Sequence, residues 1–245
     1  MGAAGTSHWF ENWFNEDYLL LYRHRDMSDA NRQISLILST LQPLPSARIL
    51  DLGCGEGRHS EILHRHGLNI TGIDLSAVLI DLGKLQFPHL NLSVGDMRRI
   101  SGKFEIILSL FTSFGYFDED SENMAVLNSV SQALNPDGTY WLDYLNPAYV
   151  SANLESETVR ELEPGKRVIE RRQIVGDMVI KDIFFEMDDG EKRYQERVKL
   201  YDKFRLEDML RDAGLSPVGS FGNYEGARWS PESPRTILYA EKSDG

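Results

Sequence analysis

Ile49-Leu50-Asp51-Leu52-Gly53-Cys54-Gly55-Glu56-Gly57 reads as a short apolar strand running straight into a turn built on three glycines. Glycine lets the backbone bend sharply and lets a ligand approach where a Cβ would stand. A strand, a glycine turn and a helix in that order open a βαβ unit. The units expected of such a fold follow. After the strand Arg48 to Leu52 and a helix to about His66, Asn69 to Ile73 reads as a second strand. A helix runs from about Ser76 to Gln86, and Leu90 to Val94 is a third strand. Phe104 to Leu110 is an apolar run typical of a strand buried on both faces. A helix from about Ser121 to Leu134 is stopped by Asn135-Pro136-Asp137-Gly138, and Thr139 to Leu145 is a fifth strand. Further strands are expected at Pro217 to Phe221 and Arg235 to Glu241, beyond a helix from about Leu206 to Ala213. The fold class is therefore α/β: a doubly wound, Rossmann-like, mixed seven-stranded sheet with helices on both faces.

Two segments stand outside that alternation. His8 to His24 carries Trp9, Phe10, Trp13, Phe14, Tyr18 and Tyr22 near helical spacing, which predicts one helix with an aromatic face. A second helix, from about Asp29 to Leu41, ends before Pro43 and Pro45. Residues 1–47 are thus expected to form a helical cap. Residues 151–200 break the pattern in the other direction. Arg167 to Val175 and Met178 to Glu186 flank Gly176-Asp177 as a β-hairpin, and Arg193 to Tyr201 adds a third strand. This inserted antiparallel unit divides the sheet domain into residues 48–150 and 201–245, and is expected to lie over the open end of the sheet as a lid.

The chain has 245 residues and a formal net charge of -12. That balance argues against nucleic acid, whose binding depends on Lys and Arg neutralising phosphates. No apolar run approaches a membrane span, and the first residues lack the basic and apolar regions of a signal peptide. One cysteine excludes an intrachain disulfide and fits a reducing, cytoplasmic setting. The protein is expected to be a monomer or homodimer acting on a small molecule. His59, His64 and His66 lack the i, i+3 or i+4 offsets of a helical metal set, so they are read as surface residues and no metal is expected.

Two details separate the glycine turn from a dinucleotide site. The G-x-G-x-x-G fingerprint would place its last glycine where Arg58 stands. Asp51, just before the turn, suits a cationic amine and sulfonium better than a pyrophosphate. Gly72-Ile73-Asp74 then ends the second strand, where a carboxylate can accept both ribose hydroxyls. Gly95-Asp96-Met97 ends the third, where Asp96 can accept from an exocyclic adenine amine and Met97 can lie on the ring.

DLGCGEG, TGIDLS, VGDM and LNPDG together resemble the class I S-adenosylmethionine-dependent methyltransferases over roughly Ile49 to Leu145. The resemblance implies S-adenosyl-L-methionine as cofactor and S-adenosyl-L-homocysteine as product. It implies that Asp51, Gly53 and Gly55 line the methionine moiety, Asp74 the ribose, and Asp96 with Met97 the adenine, with Leu75 also binding the cofactor. It makes Phe111 to Tyr116 the active-site edge, with the backbone of Leu110 facing the methionine amino group. It also expects an Asp where Glu105 stands, a departure at a peripheral position. The front helix and the insertion are similar to a subgroup of small-molecule methyltransferases, some of which act on amino groups of sugars.

From the covering helix, Tyr18, Tyr22 and Arg25 are cofactor candidates. Tyr116 and Tyr144 are candidates for orienting the substrate, and Asp143 and Asn146 for facing the pocket. Asn146-Pro147-Ala148-Tyr149 looks like an adenine- or glutamine-methylating signature but follows the wrong strand, so it is read as a decoy. Arg171, Arg172, Lys181, Glu196 and Arg197 on the insertion either meet a polar substrate or form a wet sheet face. Three rival functions remain: a nicotinamide oxidoreductase, an RNA or protein methyltransferase, and a non-catalytic S-adenosylmethionine sensor.

Overall fold

The computed structural model describes residues 8–23, 27–187 and 190–243. Two short helices, α1 (Trp9–Trp13) and α2 (Glu16–Leu21), precede α3 (Met27–Leu41). The alternating region comprises β1 (Arg48–Leu52), α4 (Arg58–Arg65), β2 (Asn69–Asp74), α5 (Ala77–Gln86), β3 (Asn91–Val94), β4 (Phe104–Ser109), α6 (Asp120–Ala133) and β5 (Leu134–Leu145). After α7 (Pro147–Ala152) come β6 (Glu157–Glu163), β7 (Lys166–Val175), β8 (Met178–Met187) and β9 (Gly190–Lys199). The chain then returns through α8 (Lys203–Asp212), β10 (Leu215–Phe221) and β11 (Arg235–Lys242).

The large sheet has seven strands in the order β10-β11-β5-β4-β1-β2-β3. β1 to β5 are parallel, and β11 runs antiparallel to both β5 and β10. Side chains alternate across a strand, so each strand feeds two cores. Leu50, Leu52, Ile107 and Leu142 pack with Val126, Leu127 and Val130 of α6 and Leu206, Met209 and Leu210 of α8. Ile49, Ile106, Leu108 and Trp141 point the other way, onto Ile34 and Ile37 of α3, Ile62 and Leu63 of α4 and Ile80 of α5. Helices therefore cover both faces. The chain moves outward from β1 to β3 and then crosses back to β4. The carboxyl ends of β1 and β4 form the crevice where such sheets bind ligands.

Three expectations are corrected. The aromatic segment 8–24 is not one helix: Asn15 breaks it, its side chain accepting from the N–H groups of Asp17 (2.8 Å) and Tyr18 (3.3 Å) to cap α2. Asn135 to Gly138 interrupts pairing rather than preceding it: Phe104 pairs with Leu134, Ile106 pairs with Thr139, and the residues between loop out with Asp137 at φ 60°. The inserted sheet has four strands, β6-β7-β8-β9, not three. Its inner face sets Val168, Ile183 and Phe185 against Trp13, Leu21 and Tyr22, a third core that joins insertion to cap.

Candidate active site

The glycine turn hangs on the end of β2. Gly53 and Cys54 donate their N–H groups to the Ile73 carbonyl at 2.8 and 3.0 Å, and Gly55 donates to Asp74 Oδ2 at 2.8 Å. Gly53 stands at φ 78°, and a Cβ there would lie 2.8 Å from the Ser113 Cβ. The position is closed to other residues on both counts. Cys54 is buried, and burial with the Asp51 and Asp74 charges pushes its thiol well above the usual range. It is a filler beneath the turn, not a nucleophile.

A cavity opens above this turn, at the crevice between β1 and β4. Its walls bring together Tyr22, Gly53, Gly55, Asp74, Leu75, Asp96, Met97, Leu110 and Tyr116. Asp74 is held across the turn, with Ser76 N–H donating to its second oxygen at 2.9 Å. Burial raises its pKa, so it is a desolvated carboxylate with lone pairs left for further donors. Asp96 is gripped by Arg98, with Nη2 to Oδ2 at 2.7 Å. The Leu110 carbonyl accepts from the N–H (3.2 Å) and Oγ (2.8 Å) of Ser113, which commits its lone pairs within the loop.

Three candidates fall elsewhere. Asp51 is 1% exposed and shares the α4 face of β1 with Ile49, so it lies under the turn and not in the cavity wall. Its carboxylate accepts from Ser60 Oγ at 2.7 Å, and burial lifts its pKa to about 6. Tyr144 is fully buried among the α6 and α8 residues and donates its hydroxyl to the Lys199 carbonyl, so it cannot orient a substrate. The alternation of β5 explains it: Asp143 and Tyr144 leave opposite faces. Arg25 lies outside the described residues. His59 also departs from expectation. It is buried, paired with Gln33 and part of the cavity wall, and burial lowers its pKa to about 3. His64 and His66 are exposed.

The loop after β4 is strained. Phe111 (φ 53°) and Thr112 (φ 68°) are consecutive left-handed residues without being glycine, a conformation that persists only when its surroundings enforce it. Asp143, 1% exposed, supplies the enforcement. It accepts from Phe111 N–H (2.9 Å), Tyr224 OH (2.8 Å) and Arg235 Nε (2.8 Å), while its carbonyl accepts from Thr112 N–H (2.9 Å). Arg235 Nη2 also donates to Thr112 Oγ1 at 2.8 Å. Asp143 therefore sits behind the cavity edge and does not face into it. No motif in the sequence ties Asp143 to Arg235, which lies 92 positions further on. Asn146 caps α7 and donates to the Ser230, Pro231 and Ser233 carbonyls, and it does not line the cavity.

The cap closes the cavity with rings. Phe10, Phe14 and Tyr18 line it beside Tyr116, with Phe14 5.8 Å from Tyr116 and 5.0 Å from Tyr18 between centroids. Trp9 Nε1 donates to the Tyr116 carbonyl (3.2 Å) and Ser76 Oγ to the Phe14 carbonyl (2.6 Å). From behind, Glu196 accepts from Trp13 Nε1 and Tyr22 OH, each at 2.7 Å, and pairs with Lys181 at 2.5 Å. Asp17 binds Lys192 (2.8 Å) and Tyr194 (2.6 Å). Arg172 and Lys181 share Glu170, Lys181 and Glu196 meet the cap, and Arg171 pairs with Glu157; none of these lines the cavity. Among the described residues no group of three His, Cys, Asp or Glu could hold a metal, and no helix is long and apolar enough to cross a membrane.

Comparison with known proteins bears on this cavity. Residues 49–138 match a family described as a methyltransferase domain. The chain is 24% identical over 215 residues to the cypemycin N-terminal methyltransferase of a Streptomyces species, covering 84% of this chain and 87% of that protein. It is 30% identical over 124 residues to a dTDP-3-amino-3,4,6-trideoxy-alpha-D-glucopyranose N,N-dimethyltransferase of Streptomyces venezuelae, about half of each chain (50% and 52%). A crystal structure of an S-adenosylmethionine-dependent methyltransferase from Clostridium acetobutylicum superposes with a TM-score of 0.78 at 18% identity, covering 93% of this chain and 97% of that one.

Proposed function

The chain belongs to the class I S-adenosylmethionine-dependent methyltransferases, and we propose that its acceptor is an amine carried on a small molecule. The observation that carries this reading is the juxtaposition of two kinds of wall in one cavity: carboxylates and glycines at the ends of β1 to β3, and the rings of Phe10, Phe14, Tyr18 and Tyr116 opposite. The chemistry of the first wall fits the cofactor. The glycine turn admits close approach, Asp74 has acceptor capacity for a diol, and Met97 and Leu75 offer apolar contact to a base. Two of the relatives are named for N-terminal and N,N-dimethyl transfer, which supports an amine.

S-adenosylmethionine, when bound, supplies a methyl group on a sulfonium that leaves as a neutral thioether. The chain's own task is placement. Holding a nucleophile in near-attack geometry supplies on the order of 7–11 kcal/mol in favourable cases. An amine that arrives neutral needs no base. The aromatic wall excludes water and attracts cationic groups through its ring faces. Tyr116, on the strained loop that Asp143 and Arg235 enforce, is placed in this proposal at the acceptor. The cap (residues 1–47) and the insertion (151–200) are read as the covering on the acceptor side. The net charge of -12 supports an acceptor other than nucleic acid, and the single buried cysteine supports a cytoplasmic enzyme.

The test is calorimetric titration with S-adenosylhomocysteine and, in parallel, NADH, followed by a transfer assay on small amines and phenols. Binding of the first alone with turnover of amines is expected. Binding of NADH alone would overturn the cofactor assignment, and turnover restricted to phenols would overturn the amine.

A further inference from the structure

The wall that would meet the adenine is organised by one residue no motif marks. Asp96 follows β3 and lines the cavity. Arg98 grips it from three sides: its own N–H to Oδ1 at 2.8 Å, Nη2 to Oδ2 at 2.7 Å, and Nε shared between both oxygens at 3.1 Å. The guanidinium is itself fixed. Nη1 donates to Glu122 of α6 at 2.7 Å, and the group lies over the Phe117 ring at 4.6 Å. A planar guanidinium held by two carboxylates and a ring has little freedom left.

Three donors fall on a carboxylate that offers about four lone-pair positions. Oδ1 takes the Arg98 N–H and a share of Nε, and Oδ2 takes Nη2 and the rest. About one acceptor position remains on the carboxylate. Burial pushes the Asp96 pKa up, but the hydrogen bonds from Arg98 outweigh it and hold the group below the ordinary carboxylate value. Asp96 is thus an acceptor and not a donor throughout the neutral range.

We propose that Arg98 is a positioning residue for cofactor specificity: by saturating Asp96 on three sides it leaves one fixed acceptor that admits an exocyclic amino group and rejects a carbonyl oxygen. This rests on the assignment of the cavity to S-adenosylmethionine. A freely rotating Asp96 would adapt through water to either base. The gripped one cannot, since a carbonyl placed against it leaves two acceptors facing each other without a proton.

The experiment is calorimetric titration of the intact protein with S-adenosylhomocysteine and with S-inosylhomocysteine, which carries a carbonyl oxygen in place of the adenine amino group. The wild type is expected to prefer the adenine ligand by about tenfold or more. Arg98→Ala should bring the two affinities within about twofold, and Arg98→Lys should restore part of the preference. Asp96→Asn, whose amide can donate to the carbonyl, should erase or invert it. If Arg98→Ala does not fold, the Arg98→Lys and Asp96→Asn ratios decide. Arg98→Ala that weakens both ligands equally, with the ratio intact, would make Arg98 a mere loop support and overturn the proposal. So would a wild type that binds both ligands alike. A wild type that binds neither overturns the cofactor reading itself, a distinct result.

Discussion

Gly53 carries two constraints at once, a left-handed φ of 78° and a Ser113 side chain where its Cβ would stand. Gly53→Ala should therefore lose S-adenosylhomocysteine binding and about 1–3 kcal/mol of stability, measured by calorimetry and urea unfolding. Asp74→Asn replaces one of the two oxygens that accept from Gly55 and Ser76 with a donor, so it should loosen the turn and bind the same ligand about 10- to 100-fold more weakly, because hydrogen bonds to a charged acceptor are worth about 1.5–3 kcal/mol. Asp143→Asn should cost about 3–5 kcal/mol, since it leaves Arg235 buried without its counter-ion. At this scale the sequence was legible where chemistry is local. Asp74 and Asp96 end strands that announce themselves by periodicity, and both reach the cavity. It was illegible where side-chain direction decides. Asp51 and Tyr144 stand on strands placed correctly, yet neither lines the cavity, and only the register of neighbouring strands fixes which face is which.

Among the elements, β1 agrees with its sequence reading at both ends, because an apolar run closed by three glycines leaves no other boundary. The aromatic segment of the cap reads as a single helix because its rings fall near a helical period. Asn15, followed by Glu16 and Asp17, was the available signal for a new N-terminus. β6 was missed because Glu157–Glu163 alternates charge with little apolar content and gains its place by pairing with β7. The cap depends on Trp13, whose ring is fully buried between Tyr18, Tyr194 and Phe185. Trp13→Ala should cost about 3–5 kcal/mol and raise amide hydrogen exchange across residues 9–21 while sparing β1. Lys192→Ala, by contrast, removes a partly exposed ion pair with Asp17 and should change stability by less than about 1 kcal/mol.

Across the whole molecule, two buried groups, Asp51 under the turn and His59 in the cavity wall, have opposing effects on stability as pH changes. Asp51, at about 6 when folded against 3.8 ordinarily, keeps its proton where the unfolded chain has lost it. Its contribution is full below about pH 4 and falls as pH rises to about 6, by up to about 3 kcal/mol. His59, at about 3 against 6.5, refuses a proton that the unfolded chain accepts. Its contribution is full above pH 6.5 and is lost as pH falls toward 3, by up to about 5 kcal/mol. The two offset each other between about pH 4 and 6. Relative to wild type, Asp51→Asn should steepen the acid loss of stability, and His59→Gln should make stability decline as pH rises through that window; urea midpoints at pH 4 to 8 test both. The bond from Trp13 to Glu196 spans 183 positions, and this has a consequence for synthesis. On the ribosome the aromatic segment emerges well before the strand that shelters it. Until β9 has been made, Trp13 lacks the Glu196 and Tyr194 side chains that surround it, so an apolar surface stays open while the large sheet grows, and the roof of the cavity is laid only after its far wall has been built.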